Sequence, residues 1–201
     1  AKWLAFHIPF SCFEGRVLEE NARGFIRLDG DGWQRQYNKE GKLVEEIRPT
    51  VTNWVDWEAL KERTEQELAR YCTDENIEQV YGKYREGHEK GEFSIRFRVS
   101  GFFWIPRTLM GIEEHLVGYY DEPEMIHDMN RFTLRIYQEY LGKIFEIVRP
   151  DMFMLSEDLS GSNGPMISEE MFDEFVGAYY KELFPVLRQK GAKNIFVDTD
   201  G

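Results

Sequence analysis

The stretch Met152-Phe-Met-Leu155 is a continuous apolar run, and the polar residues Ser156, Glu157 and Asp158 follow it at once. A short apolar run of this kind is typical of a strand buried on both faces, as in a parallel sheet. Two other segments have strand character: 93–99, where apolar and polar residues alternate, and 194–197. Because helical patterns separate the three segments, we predict α/β architecture with a parallel sheet and right-handed crossovers.

Helical spacing predicts the elements between these strands. We expect a short helix around 107–118 and a long one from about 122 to 148, where apolar residues recur every three or four positions. Asp121 and Glu124 resemble a capping box for the long helix. Ser168 is expected to cap a further helix that runs to about 190 and ends at Gly191.

The residues before 93 have a different pattern. Turn sequences rich in Asp, Asn and Gly predict a small antiparallel hairpin at about 25–50. Two charged helices are expected at 56–70, capped by Asp56, and at about 74–89, both outside the core. We therefore predict a single domain over 1–201, with a hairpin insertion at about 25–50, peripheral helices over 56–90 and βα units over 93–201.

Charge and cysteine content exclude some classes of function. The 201 residues include 25 Lys+Arg and 37 Asp+Glu, a net charge of −12. This balance argues against non-specific nucleic-acid binding and against docking on an anionic membrane surface. Cys12 and Cys72 cannot build a disulfide scaffold, so a reducing, cytoplasmic compartment is expected. A membrane-spanning helix needs roughly twenty apolar residues, and no such run occurs.

In parallel α/β folds, ligands bind beyond the carboxyl ends of the strands. This rule selects three segments: 101–107, 156–165 and 198–201. Their carboxylates are Glu157, Asp158, Asp198 and Asp200. We expect them to meet at one pocket mouth, although capping of a helix or a turn is an alternative for each.

The same segments resemble the uroporphyrinogen decarboxylase superfamily. The resemblance is carried by Gly101-Phe-Phe-Trp104, Leu109-Met-Gly111 and Asp121-Glu-Pro-Glu124, followed by Glu157-Asp158. It continues through Asn163-Gly-Pro-Met-Ile-Ser168, Tyr179-Tyr-Lys181 and Asp198-Thr-Asp-Gly201. It covers roughly 93–201 and implies a (β/α)8 TIM barrel. A closed barrel needs eight strands and about 250 residues, so this chain is expected to hold an incomplete one.

The resemblance implies two kinds of reaction. The superfamily contains tetrapyrrole decarboxylases and zinc-dependent methyltransferases that work with corrinoid or coenzyme M. Ile112 stands where the decarboxylases have a tyrosine, and Asp158 stands where they have a serine. Asp198 and Asp200 stand where the methyltransferases have a histidine and a cysteine, and oxygen donors suit harder cations than thiolate-activating zinc.

These points lead to a preferred function and to residue roles. We expect an enzyme that acts on a small methylated compound or a corrinoid-linked methyl group, with Asp158 and Asp200 as catalytic acid–base groups. A divalent metal held by Asp198 and Asp200 and a corrinoid protein partner are the expected cofactor and partner. The expected substrate-binding residues are Phe103, Trp104, Arg107, Glu157 and Asn163.

Two alternatives stay open. One is uroporphyrinogen decarboxylation, and the other is an inactive fragment or assembly module. An open piece of a barrel would expose strand edges and apolar surface, and a homodimer is one arrangement that would cover them.

Overall fold

The N-terminal part of the chain holds one parallel strand and a separate antiparallel sheet. The computed structural model describes residues 1–199. Strand β1 is Lys2–Ala5, and the four-stranded antiparallel sheet consists of β2 (Arg16–Asn21), β3 (Gly24–Leu28), β4 (Gln34–Tyr37) and β5 (Leu43–Arg48). The predicted hairpin is the β4–β5 pair, and the sheet around it is larger than expected. Both edge strands contain β-bulges, which make an edge less suited to pairing with another chain.

Three helices follow the antiparallel sheet. They are α1 (Trp54–Tyr71), α2 (Asp74–Tyr81) and α3 (Arg85–Glu89). The prediction that Asp56 caps α1 is wrong, because Asn53 is the N-cap and its side chain accepts a hydrogen bond from the Asp56 N–H. The Asp56 carboxylate instead accepts bonds from Arg48 and Thr52. Helix α1 buries a stripe of side chains against the core, namely Trp57, Leu60, Thr64 and Leu68.

The first βα unit contains a break that the sequence pattern did not indicate. Strand β6 (Ile95–Ser100) leads into α4 (Trp104–Met110) and α5 (Ile112–Asp121), where one short helix was predicted. The helices separate at Gly111, whose φ of +83° is a conformation that favours glycine.

The long helix is present but interrupted. It comprises α6 (Pro123–Ile136), a π-helical turn (Tyr137–Leu141) and α7 (Gly142–Ile147). The predicted capping box is wrong: Asp121 is the last residue of α5, and no side chain caps α6. Pro123 at the start of α6 needs no N–H partner, and this fits the first turn without a side-chain cap.

The last βα unit agrees with the sequence pattern. Strand β7 (Met152–Ser156) is followed by a two-residue ladder, β8 (Ser160–Gly161) with β9 (Gly164–Pro165). Helices α8 (Glu169–Phe172) and α9 (Ala178–Gln189) flank a π-helical turn at Asp173–Gly177, and β10 (Ile195–Asp198) is the last strand of the described chain. The Ser168 cap is confirmed, since its side chain accepts from the Met171 N–H.

The parallel sheet has the order β1-β6-β7-β10, and every pair in it is parallel. The centre of one face is buried under the helices: Phe97 packs against Phe153 and against Phe145 of α7. The mixed α/β class and the parallel sheet are thus as predicted. Four parallel strands in this order are compatible with a barrel or with an open sheet.

Candidate active site

The carboxyl ends of β6 and β7 lie side by side, because Ser100 pairs with Ser156 in the parallel register. The loop that leads into α4 follows the first strand, and Glu157 and Asp158 follow the second. A cleft of about 260 Å³ opens beside this edge and is lined in part by Phe6, Ser100 and Tyr137. A second cleft, of about 310 Å³, lies beside β7 and is lined in part by Leu159, Phe172 and Thr199.

Glu157 connects the two strand ends. Its carboxylate accepts hydrogen bonds from the N–H groups of Phe102 at 2.8 Å, Phe103 at 2.9 Å and Trp104 at 3.0 Å. The Tyr180 hydroxyl of α9 donates a fourth bond to it. Because the side chain is fully buried, all of these bonds form away from water. We call Glu157 with these three N–H groups and Tyr180 the carboxylate clamp.

The clamp explains how the loop before α4 keeps its shape. The first N–H groups of a helix have no hydrogen-bond partner within the helix. Here the carboxylate of Glu157, which follows strand β7, accepts their hydrogen bonds. Burial raises the pKa of Glu157 to about 7, against the lowering effect of Tyr180 and the three N–H groups. Burial and, second to it, proximity to Glu157 raise the pKa of Tyr180, so this hydroxyl stays protonated and donates.

Gly101 leaves the space that the clamp occupies. A Cβ atom at this position would lie 2.0 Å from the Glu157 Cδ and 2.1 Å from its Oε1. Real Cβ contacts are never this short, so a side chain at residue 101 and the clamp are incompatible. The glycine was quoted for the resemblance, but only the folded structure indicates its role.

Arg107 and Asp158 form a second link between the two strand ends. The Arg107 Nη1 lies 2.6 Å from the Asp158 Oδ2 and also donates to the Asp158 carbonyl at 3.0 Å. The guanidinium carbon lies 5.2 Å from the centre of the Trp104 ring. All three side chains remain partly accessible to solvent. The predicted residues Trp104, Arg107 and Asp158 are therefore brought together at the edge of the sheet.

Asp158 has a strained backbone. Its φ of +51° makes it the only residue other than glycine with positive φ within 1–199. Such a conformation costs of the order of 1 kcal/mol and persists only where surrounding contacts impose it. Here the Asp158 N–H donates to the Asp198 carbonyl at 3.3 Å, and Arg107 holds the other end of the residue.

The remaining predicted residues lie in different environments. Phe103 is fully buried and packs against His115, with ring centres 4.9 Å apart. Asn163 is exposed on the loop between β8 and β9. Asp198 pairs with Ser156 in the register of the sheet and is partly buried. Asp200 lies outside the described residues.

The described residues do not by themselves assemble a metal centre. Within residues 1–199, no group of three or more His, Cys, Asp or Glu side chains is placed to hold a metal ion. Asp158, the carboxylate that follows the neighbouring strand β7, is committed to Arg107. Of the two predicted ligands, only Asp198 falls in this part of the chain, so we derive no chemical step through a metal.

Several residues that complete the site were not in the predicted set. Tyr180 was noted only within a motif, and its partner could not be inferred without the fold. Tyr137 donates to the Ser100 carbonyl at 2.6 Å and supports the end of β6 from the π-helical turn. Arg98 donates from Nε to the Ser156 Oγ at 2.8 Å. The alternation in β6 was a usable signal for Arg98, because it places 96, 98 and 100 on one face.

The arrangement offers a partly accessible ion pair between the two strand ends and a buried carboxylate behind it. Asp158 can accept or orient a proton of a bound molecule, while Arg107 fixes the position of the carboxylate. Both oxygens of Glu157 accept hydrogen bonds from protein groups, and a direct contact with a ligand stays a prediction.

Two findings bear on the wider setting of this site. Within the part of the chain that the structure describes, no helix combines the length and the apolar character needed to cross a membrane. Comparisons with protein-family models, with curated proteins and with solved structures found no match for this chain.

Proposed function

We propose that this chain belongs to a (β/α)8 barrel enzyme of the uroporphyrinogen decarboxylase type and that it acts on a small methylated compound or a corrinoid-linked methyl group. The proposal rests on the residues of the resemblance. The observation that carries it is the link between the strand ends: the loop at 101–104 and the Glu157-Asp158 pair, both quoted for the resemblance, are in direct contact.

The proposed roles follow from the contacts. Asp158 is the acid–base or polar group that meets the substrate, and Arg107 positions it. Trp104 lines the apolar side of the site, and Phe103 supports it from the interior. Glu157 is a positioning residue, because it fixes the loop that carries both aromatic side chains.

The cofactor part of the proposal concerns Asp198, Asp200 and a partner protein. A corrinoid protein would carry the methyl group, and Asp198 and Asp200 are the residues that would hold a divalent cation. The chain itself would bind and orient that compound at the carboxyl edge of the sheet.

A second candidate is uroporphyrinogen decarboxylation. An additional aspartate at the pocket mouth would repel a substrate rich in carboxylates, which is the main objection to this reaction. However, the Arg107 guanidinium lies 2.6 Å from the Asp158 carboxylate and offsets its charge. This ion pair favours decarboxylation as the second candidate.

The two reactions are separated by direct assay of the purified protein. One assay supplies simple methylated amines, thioethers and aryl ethers with cob(I)alamin, kept reduced by an added chemical reductant, as the methyl acceptor. It measures the demethylated product by mass spectrometry. The other supplies uroporphyrinogen and measures loss of carboxyl groups by chromatography. We expect turnover in the first assay; turnover only in the second favours decarboxylation, and turnover in neither contradicts both candidates.

The remaining alternative, an assembly module without activity, has a separate test. Trp3 and Phe196 are about half exposed on the uncovered face of the parallel sheet. An assembly module would cover them by association, so light scattering should show a dimer or larger species. A monomer with a sharp thermal transition would count against this alternative.

A further inference from the structure

The cleft of about 260 Å³ is built from parts of the chain that are far apart in sequence. Its walls come from the loop after β1, the end of β6, helix α4, the π-helical turn at 137–141 and the turn between β3 and β4. The ends of β1 and β6 are adjacent, since the Phe6 N–H donates to the Arg98 carbonyl at 3.3 Å. Barrel enzymes bind their ligands at this carboxyl edge, so the cleft has the position of a ligand site in a closed barrel as well.

The walls of the cleft are mainly apolar and partly aromatic. The apolar and aromatic side chains that line it are Phe6, Ile8, Phe10, Ile105, Leu109 and Tyr137. The rings of Phe6 and Tyr137 lie 6.5 Å apart, and the Phe10 ring lies 6.3 Å from that of Trp57. The face of an aromatic ring is electron-rich and attracts cations. Such walls therefore suit an apolar group that carries positive charge.

Asp31 supplies the only carboxylate on this lining, within the residues that the structure describes. The Arg35 Nη1 donates to its two oxygens at 3.0 and 2.9 Å, and the Trp33 N–H donates to Oδ1 at 3.1 Å. The Thr50 hydroxyl donates to the Asp31 carbonyl at 2.7 Å. The Asp31 side chain nevertheless remains 42% exposed. It is therefore fixed in position and still accessible to a ligand.

The charge around Asp31 stays negative despite the ion pair with Arg35. Arg35 also pairs with Asp29 and Glu46, and a second arginine reaches Asp29. Three carboxylates thus share two arginines, which leaves one unit of negative charge beside the cleft. Apart from the exposed imidazole of His7, the lining holds no basic side chain within residues 1–199. This balance disfavours an anionic ligand and favours a cationic one.

The antiparallel sheet that carries Asp31 is attached to the wall of the cleft. The Trp33 Nε1 donates to the Thr108 carbonyl at 2.9 Å, and the Val51 N–H donates to the Leu109 carbonyl at 2.9 Å. Both acceptors belong to α4, the helix that also carries Arg107. The insertion thereby adds a carboxylate to a cleft beside the strand-end site.

These features favour a cation whose charge is surrounded by methyl groups. A primary ammonium is strongly hydrated, and apolar walls offer few acceptors to replace the water that it loses. A methylated ammonium presents methyl groups to such walls, while its charge is attracted by aromatic ring faces and by a nearby carboxylate.

We propose that this cleft binds a small molecule with a methylated ammonium group, and that Asp31 and Phe10 select for its positive charge. The inference rests on the proposed function, because it names the class of the methylated compound. Asp31 contributes the negative charge, and Phe10 contributes an aromatic face that is only partly buried.

Isothermal titration of the purified protein at one fixed ionic strength tests the proposal with three probes. Choline carries the methylated ammonium. Ethanolamine has the same charge without the methyl groups, and 3,3-dimethylbutan-1-ol has the same shape without the charge. We expect saturable binding of choline, at least fivefold tighter than that of either other probe, because the methyl groups and the charge both contribute.

Variants show whether the binding belongs to the cleft. Asp31→Asn should weaken choline binding about fivefold or more, because it removes the negative charge and keeps the shape. Phe10→Leu should weaken it about threefold or more and change the binding of the uncharged probe less, because only the cation interacts with the ring face.

Each variant has a matched control outside the cleft. Asp74→Asn removes an exposed carboxylate that pairs with Lys143, and Phe25→Leu removes a partly buried ring that stacks on Tyr37. Both should leave choline binding unchanged. Thermal melts accompany the titrations. If Asp31→Asn loses stability because its bonds to Arg35 are weakened, Phe10→Leu still decides the result.

Three results would overturn the proposal: no saturable binding of choline, equal binding of choline and its uncharged analogue, and equal choline affinity in wild type, Asp31→Asn and Phe10→Leu. The titration is independent of turnover. Methyl transfer from a thioether or an aryl ether without choline binding would overturn this inference and leave the proposed reaction standing. Choline binding in the cleft without methyl transfer would support the inference and count against the reaction.

Discussion

The ionisation of Glu157 affects the stability of the loop that carries Trp104 and leads to Arg107. Its pKa is raised by burial from 4.5 to about 7, so the folded protein holds a proton that the unfolded chain releases. The stabilising contribution of this group is complete below about pH 4.5 and is lost as the pH rises to about 7.

The variant Glu157→Gln tests this coupling, because it removes the titration and keeps a similar shape. We predict that the free energy of unfolding of wild type, relative to the variant, falls by on the order of 3 kcal/mol between pH 4.5 and pH 7.5. Urea titrations across this pH range measure the difference. A constant difference would show that Glu157 does not titrate in the folded state near neutral pH.

Gly101 gives a second prediction at the residue scale. The variant Gly101→Ala places a methyl group on the Glu157 carboxylate, and we expect it to lower the free energy of unfolding by about 3 kcal/mol or more. Gly142→Ala is the control, since a Cβ there would lie 3.8 Å from Lys190 Cε, an ordinary van der Waals distance. Because Gly142 is helical, this change should stabilise the protein by about 0.5–1 kcal/mol. Equal effects at the two sites would contradict the clamp.

At the residue scale, the sequence indicated which side chains gather but not how they bond. The rule of strand ends selected Glu157, Asp158 and the 101–107 segment, and the structure brings them into contact. The sequence could not show that Tyr180 shares the carboxylate or that Gly101 must stay small. Both facts depend on contacts between residues more than twenty positions apart.

At the level of single elements, N-cap residues stabilise the first turn of a helix. Ser168 accepts from the Met171 N–H at 3.2 Å and starts the helical segment that brings Tyr180 to the clamp. We predict that Ser168→Ala lowers the free energy of unfolding by about 1 kcal/mol, because an N–H group of the first turn loses its partner. Ser162→Ala, at an exposed loop position, should change it little. A thermal denaturation series measures both, and equal effects would argue against the cap.

The incorrect element predictions have physical causes. Asp56 and Asp121 are both good cap residues, but Asn53 lies closer to the actual start of α1, and α5 continues through Asp121. The spacing of apolar residues also failed to indicate the break at Gly111 and the two π-helical turns. These features change that spacing only slightly. These turns carry Tyr137 and Phe175 toward the core.

On the scale of the whole molecule, periodicity predicted the parallel sheet correctly. The strand that precedes the insertion, β1, joins the same sheet as β6, so the antiparallel sheet and α1–α3 form one long connection. Sequence patterns near β1 were too short to place it with certainty. The alternation in β6 was enough to place residues 96, 98 and 100 on one face of the strand.

We propose that residues from two strand ends act together as one site. The most direct measurement is a double-mutant cycle on turnover, with Arg107→Gln, Asp158→Asn and the double variant, in whichever assay shows activity. Asp74→Asn is the control, since it removes an exposed ion pair with Lys143. We predict that each single variant loses about a hundredfold in kcat/KM and that the double variant loses little more, because either change breaks the same pair. Unchanged turnover in Asp158→Asn, or losses that simply multiply in the double variant, would contradict the claim.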